Sequence, residues 1–219
     1  EMNKRVTNKK KFPRLEIDNS PIRFPYWHPL IFDDGSLISI YGPAFKIDFC
    51  SNLQWINDKE KFHHSQMIDH EGNIWIGGRM DPKSKFVKKY SFDSYIDDSI
   101  IKIDEKGNIL YHKSITEILI ENKIIDINIF DNNWDPIHLN DVEPALNDSK
   151  YWNVGDIFIS LRHQSSIIHY RPITNKVINY ITGPFSQQHD VDIISDKEIS
   201  IFNNNNFILD NEHSEILIY

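Results

Sequence analysis

The chain has 219 residues, with 24 Lys and Arg set against 32 Asp and Glu, giving a formal charge of −8. This balance lacks the basic footprint of a nucleic-acid binder, so nucleic acid is excluded as an expected partner. A single cysteine, Cys50, rules out an internal disulfide and a cysteine-rich zinc site, and reads as a small buried apolar residue.

In chain order, the lysines bunched in "NKRVTNKKKFPR" make residues 1–20 a solvated basic arm or linker, and residues 21–219 carry the folded part. No run of 18 apolar residues occurs and no signal peptide is visible. From there on, helix periodicity is scarce, while runs of five to seven residues alternate Ile, Phe, Tyr or Val with polar residues. The chain is therefore expected to be all-β.

The strands recur in phrases. A turn followed by a strand is seen in "DDGSLISIYG" (33–42), "HEGNIWIGGR" (70–79), "NVGDIFISLR" (153–162) and "SDKEISIFNN" (195–204). Each is followed by a strand, a polar turn and a returning strand, as in "SIIKIDEKGNILYHK" and "SIIHYRPITNKVINYI", and the last such phrase, "SEILIY", stops short. Each is preceded by a phrase that begins with histidine: "HPLIFD" at His28, "HSQMID" at His64, "HLNDVEP" at His138 and "HDVDII" at His189.

A repeated four-stranded antiparallel unit of about 40 to 50 residues is the signature of a propeller blade. The expected fold is a β-propeller with about four blades in this chain, a part of a longer ring truncated at the C-terminal end. The wide gap between His64 and His138 implies an insertion, "SITEILIENKIIDINIFDNNWDP", expected to include a short helix.

The first strand of a blade lies innermost, so the four histidines are expected to converge on the channel. Because side chains alternate along a strand, Asn140 shares a face with His138, and only one of His63 and His64 can face inward, His64 being preferred. Arg162, at the far end of a second strand, reaches the same mouth if its turn directs it inward. His163 and His169 flank that corner, and Asp141 and Glu143 are candidates to orient an imidazole. His70 and His112 read as surface residues.

Three readings of the cluster stand side by side. The histidines could be blade-to-blade hydrogen-bonding groups without chemistry, the reading preferred for His28, which precedes Pro29. Three imidazoles could hold zinc. An arginine beside histidines suits an anion with several oxygens better than a cation, so no metal is expected. Trp75, Trp152 and Phe158 are candidates to stack on an aromatic ligand, although aromatics in strands are more often core.

The succession "DPIHLNDVEP", "GDIFISLRHQSSIIHY" and "QQHDVDII" with "SIFNNN" resembles the arylsulfotransferase family, bacterial arylsulfate sulfotransferases that use no nucleotide sulfate donor. The resemblance spans roughly residues 60–219. It implies a six-bladed propeller, no cofactor, a periplasmic or extracellular location, and transfer of a sulfuryl group between phenols through a sulfohistidine. Carried onto this sequence, it makes His189 the nucleophile, with His138 and Arg162 binding the sulfate oxygens. A further site histidine falls in "FHHSQ" at His64 or His63, where Ser65 replaces the family's acid. Asn140 and His63 complete the expected substrate-binding set, and the partners implied are an aryl sulfate donor and a phenolic acceptor. The alternative is a non-catalytic propeller that binds a ligand or protein partner at its channel.

Overall fold

In a computed structural model, which describes residues 27–40, 42–130, 134–205 and 213–219, the strands follow one another as antiparallel neighbours. The basic arm expected over residues 1–20 lies outside the described residues. The first blade consists of β1 (Trp27–Ile31), β2 (Leu37–Ile40), β3 (Gly42–Ile47) and the first part of β4 (Leu53–Ile68). β4 serves two blades. Its residues 53–57 pair with β3, while its second half pairs with β5 (Ile74–Arg79), which leads to β6 (Asp98–Ile103) and β7 (Ile109–Ser114).

The third blade is β8 (Leu139–Pro144), β9 (Ile157–Leu161), β10 (Ser166–Arg171) and β11 (Lys176–Thr182). A fourth, three-stranded sheet contains β12 (Val191–Ile193), β13 (Ile199–Asn203) and β14 (Glu215–Ile218). The structure is thus all-β, part of a propeller; His28 and His64 stand within β1 and β4, and His138 and His189 stand one and two residues before β8 and β12.

The hairpins have a local cause. In "DHEGN" and "DEKGN" an Asp side chain mimics the turn: Asp69 Oδ1 accepts the N–H groups of Glu71 and Asn73, and Asp104 Oδ1 those of Lys106 and Asn108, at 2.8–2.9 Å. The glycine that follows supplies the left-handed residue, with φ of +80° at both Gly72 and Gly107.

Alternating apolar side chains then close the spaces between sheets. Ile38, Ile40, Phe62, Ile76 and Ile101 fill the space under the first two blades, and Ile100, Leu139, Ile159 and Tyr170 that between the second and third. Phe158, Ile167, Phe185, Val191 and Ile201 pack the third blade against the fourth sheet. Trp75, Trp152 and Phe158, considered above as ring-stacking candidates, all belong to these cores, with exposures of 3%, 6% and 3%.

A short helix, α1 (Lys85–Tyr90), lies between β5 and β6, and the expected insertion contains the short helix α2 (Ile115–Glu121) after β7. α2 begins at an S-x-x-E phrase: the Ser114 hydroxyl accepts the N–H of Glu117 at 3.2 Å, and Ile115, Ile118 and Leu119 form its buried face.

Blade-opening strands are laced together by side chains that take up backbone groups of the next blade. Gln66 donates to the carbonyls of His28 and Ile38, Ser65 Oγ accepts Val142 N–H at 3.1 Å, and Asp98 Oδ2 accepts Leu139 N–H at 2.9 Å. Gly77 on β5 is required by the same close approach, since a Cβ there would stand 2.9 Å from the His63 carbonyl oxygen and 3.1 Å from Leu139. Backbone cannot yield as a flexible side chain does. Gly77→Ala is therefore expected to cost about 1–3 kcal/mol, read as a lowered Tm; an unchanged Tm would show that the paired β4 backbone and Leu139 of the next blade can shift without penalty.

Candidate active site

Three of the four blade-opening histidines have a backbone conformation that L-residues rarely take: φ is +40° at His28, +60° at His64 and +50° at His138. Each coincides with a register shift, between Trp27 and Leu30, between His63 and Gln66, and between Leu139 and Asp141 or just before it. A bulge breaks the strict alternation of a strand and re-aims a side chain. In the fourth sheet the left-handed residue is Gln187, at φ +49°, two places before His189.

The bulge explains why both residues of the His63–His64 pair reach the site region, against the expectation that only one could face inward. Their Nδ1 atoms lie 2.6 Å apart, so one donates and the other accepts. His63 is the inner of the two, with Nε2 3.3 Å from Asp98 Oδ1 at ion-pair distance, and Asp98 in turn stands 3.6 Å from Arg79 Nε. His64 faces the other way, its ring centroid 5.3 Å from that of His138 and 6.1 Å from that of His189. Burial, followed by the electrostatic influence of the nearby His63, His138, His189 and Arg79, pushes His64 down to about 2 from its ordinary 6.5. His64 is a neutral imidazole at working pH.

That depression has a consequence for stability. The folded value lies below the unfolded one, so the stability His64 contributes is fully present above pH 6.5 and is lost as pH falls toward 2. One proton per molecule corresponds to at most about 1.4 kcal/mol per pH unit. Asp141 and Glu143 act in the opposite sense: burial raises them to about 7 and about 8, so their contribution is present at low pH and lost as pH rises through those values. The difference between wild type and His64→Gln isolates the histidine. Denaturant unfolding is expected to show the wild-type advantage shrinking steadily below pH 6.5; parallel profiles would contradict a neutral buried His64.

His138 is oriented by Asp135, three residues earlier in "DPIH", through a 2.7 Å contact from Nδ1 to Oδ2. Burial raises the Asp135 carboxyl, but the hydrogen bond from His138 and the electrostatic influence of the neighbouring imidazoles outweigh it and hold the group below its ordinary value. The β9 strand delivers Arg162 at a tight turn whose backbone is anchored to the same segment, with Arg162 N–H donating to His138 O at 3.0 Å and His163 N–H to Ile137 O at 3.1 Å. Arg162 donates from Nη2 to Gln187 Oε1 at 2.7 Å and from Nη1 to His163 Nε2 at 2.6 Å.

His189 is half-exposed, its backbone N–H held by Phe202 O at 2.8 Å and its Nδ1 3.8 Å from Asp190 Oδ1. The Asp190 carboxyl is lowered chiefly by His189. The segment carrying His189 is fixed from beneath by buried amides: Asn140 Nδ2 donates to Gln188 O at 2.9 Å, and Gln188 Nε2 to Ser166 O at 2.8 Å. Asn140 is buried at 1% exposure and so acts on the backbone of this segment.

The structure thus brings His64, His138 and His189 together, with Arg162 tied to both the His138 and His189 segments. His63 stands behind His64. Asp141 and Glu143 do not orient an imidazole: their carboxylates accept the N–H groups of Val191 and Ile193, at 2.9 and 3.5 Å, and so staple β8 to β12. Sequence reasoning missed Asp135, Gln187, Asp98 and Arg79, and left His163 undecided. The readable signals were the Asp three places before His138 and the Gln two places before His189.

Asp135, His138 and His163 each present one ligating atom within 4.8 Å of the others, the one such group that includes a proposed site residue among the described residues. The hydrogen bonds there oppose a metal. His163 Nδ1 lies 2.6 Å from Asp135 O, a pure acceptor, and Nε2 meets a guanidinium, a pure donor, so neither nitrogen has a free lone pair. Histidines and an arginine around one opening instead suit a compact anion with several oxygens.

The sequence pattern of the family described as Arylsulfotransferase (ASST) matches residues 31–218. The chain belongs to the arylsulfotransferase family. None of the curated proteins matches it significantly. Among solved structures, it is similar to a protein of unknown function from Bacteroides caccae, at 10% identity and a TM-score of 0.51, over 87% of this chain and 59% of that one. It is also similar to a chain of Kuenenia stuttgartiensis hydrazine synthase, at 10% identity and a TM-score of 0.55, over 89% of this chain and 59% of that one. These likenesses concern the fold alone. This chain spans about 59% of the length of either structure.

Proposed function

We propose that the protein is an aryl sulfotransferase that moves a sulfuryl group from a phenolic sulfate ester to a phenolic acceptor through a sulfohistidine at His189, outside the cytoplasm. The observation that carries this reading is the convergence of His138 and His189 on His64, with the Arg162 guanidinium tied through Gln187 to the segment that carries His189, in a chain of this family.

Nδ1 of His189 faces the Asp190 carboxylate, which favours the proton there and leaves Nε2 as the nucleophile. In the first half-reaction Nε2 attacks sulfur, an N–S bond forms, and the S–O bond to the aryl group breaks with its electron pair passing to the phenolic oxygen. His138, its imidazolium supported by Asp135, gives that oxygen a proton. In the second half-reaction the acceptor's oxygen attacks sulfur, the N–S bond breaks with its pair returning to Nε2, and the acceptor's proton passes to His138.

Charge on the equatorial sulfuryl oxygens is balanced by Arg162, as donors balance charge in phosphoryl transfer. His64, neutral throughout, supplies a hydrogen bond without adding a charge that would have to be desolvated. Two half-reactions through one covalent intermediate require ping-pong kinetics. With the protein in the full length in which it occurs, initial rates against an aromatic sulfate ester at several phenol concentrations are expected to give parallel double-reciprocal lines. Intersecting lines would contradict a sulfuryl-enzyme.

A further inference from the structure

Arg162 is held in an unusual way. Its two contacts are neutral acceptors, Gln187 Oε1 at 2.7 Å and His163 Nε2 at 2.6 Å, and no ion pair joins it to a carboxylate among the described residues. Arg171, nine residues further along the chain on β10, shows the contrast: its guanidinium is neutralised by Asp156 through Nε at 2.6 Å and Nη2 at 2.7 Å. Neutral acceptors fix a guanidinium without cancelling its charge. The Nε–H and the second proton of each Nη remain to meet an anion.

The acceptor on the Nη1 side depends on one imidazole tautomer. Asp135 O can only accept, so the proton of His163 sits on Nδ1, 2.6 Å away; Nε2 therefore offers a lone pair to Arg162. We infer that His163 is a positioning residue that holds Arg162, through this tautomer, in the orientation that receives the sulfate group. The inference rests on the sulfotransferase reading for its role in transfer, while its binding component stands apart from it. His163 touches no reacting atom; it acts through Arg162.

Two amide variants divide the ring's two functions. Gln places an oxygen near the position of Nε2 and can accept from Arg162 without the Nδ1 donor, whereas Asn keeps a donor near Nδ1 and cannot reach Arg162. The full-length protein is assayed with an aryl sulfate ester, and binding of inorganic sulfate is measured by calorimetry. His163→Asn is expected to lower kcat/KM by about 10- to 100-fold and to weaken sulfate binding in parallel, while His163→Gln stays within about threefold of wild type in both. A purely structural tether to Asp135 gives the reverse order, which overturns the inference, as does equal loss in both variants or loss in neither. If wild type transfers no sulfuryl group, the sulfotransferase reading fails, and the order of sulfate affinities still decides whether His163 positions Arg162.

Discussion

His189→Ala is expected to lower sulfuryl transfer by about four orders of magnitude, because it removes the atom that bonds to sulfur and with it both half-reactions. The fold has little to lose from the same change. The side chain of His189 is 40% exposed and its Nδ1 stands 3.8 Å from Asp190 Oδ1, whereas the anchoring of the segment uses the backbone N–H and the buried amides of Asn140 and Gln188. Its Tm should therefore remain close to that of wild type. Measured side by side, kcat and Tm separate loss of chemistry from loss of structure, and a variant retaining a tenth or more of wild-type transfer would remove His189 from the nucleophile's role.

Arg162→Ala is expected to be the next most damaging change, at about 100- to 1,000-fold in kcat/KM, the range for removal of a main donor to a developing anionic charge. Arg162→Lys should recover little of this. The guanidinium spans Gln187 and His163 with different nitrogens while keeping other N–H groups for the substrate, and an ammonium has no such planar fork. Steady-state kinetics on both variants with one aryl sulfate ester test the point; a lysine variant as active as wild type would show that charge alone is sufficient.

The repeat made much of the fold legible. The turn phrases with Asp, Gly and Asn fall on hairpins whose Asp side chains cap the turn, as Asp69 and Asp104 do. The histidine phrases fall on the blade-opening strands. What the alternation rule misread were His63 and His64, because a non-glycine residue with positive φ leaves no mark on the sequence and the bulge it creates cancels the two-residue period.

Side-chain roles were harder to read than strand positions for a related reason. Asp141 and Glu143 have the residue type of an imidazole partner, but neighbouring blade-opening strands pass so close that backbone N–H groups of β12 claim their carboxylates. Asp135 does partner a histidine, from within the expected insertion, where no repeat phrase drew attention to it. His163 looked undecided on a strand because it is not on one: it lies in the tight turn after β9, which lets it point back beside Arg162.

The central claim, a covalent sulfuryl group on His189, is tested most directly by mass. The full-length protein is incubated with an aromatic sulfate ester in the absence of acceptor, digested under conditions that preserve an N–S bond, and the peptide containing His189 is examined. A mass increase of one sulfuryl group on that peptide, discharged by added phenol and absent in His189→Ala, is the expected result. Transfer to phenol with no such adduct, or an adduct on another residue that survives in His189→Ala, would contradict it.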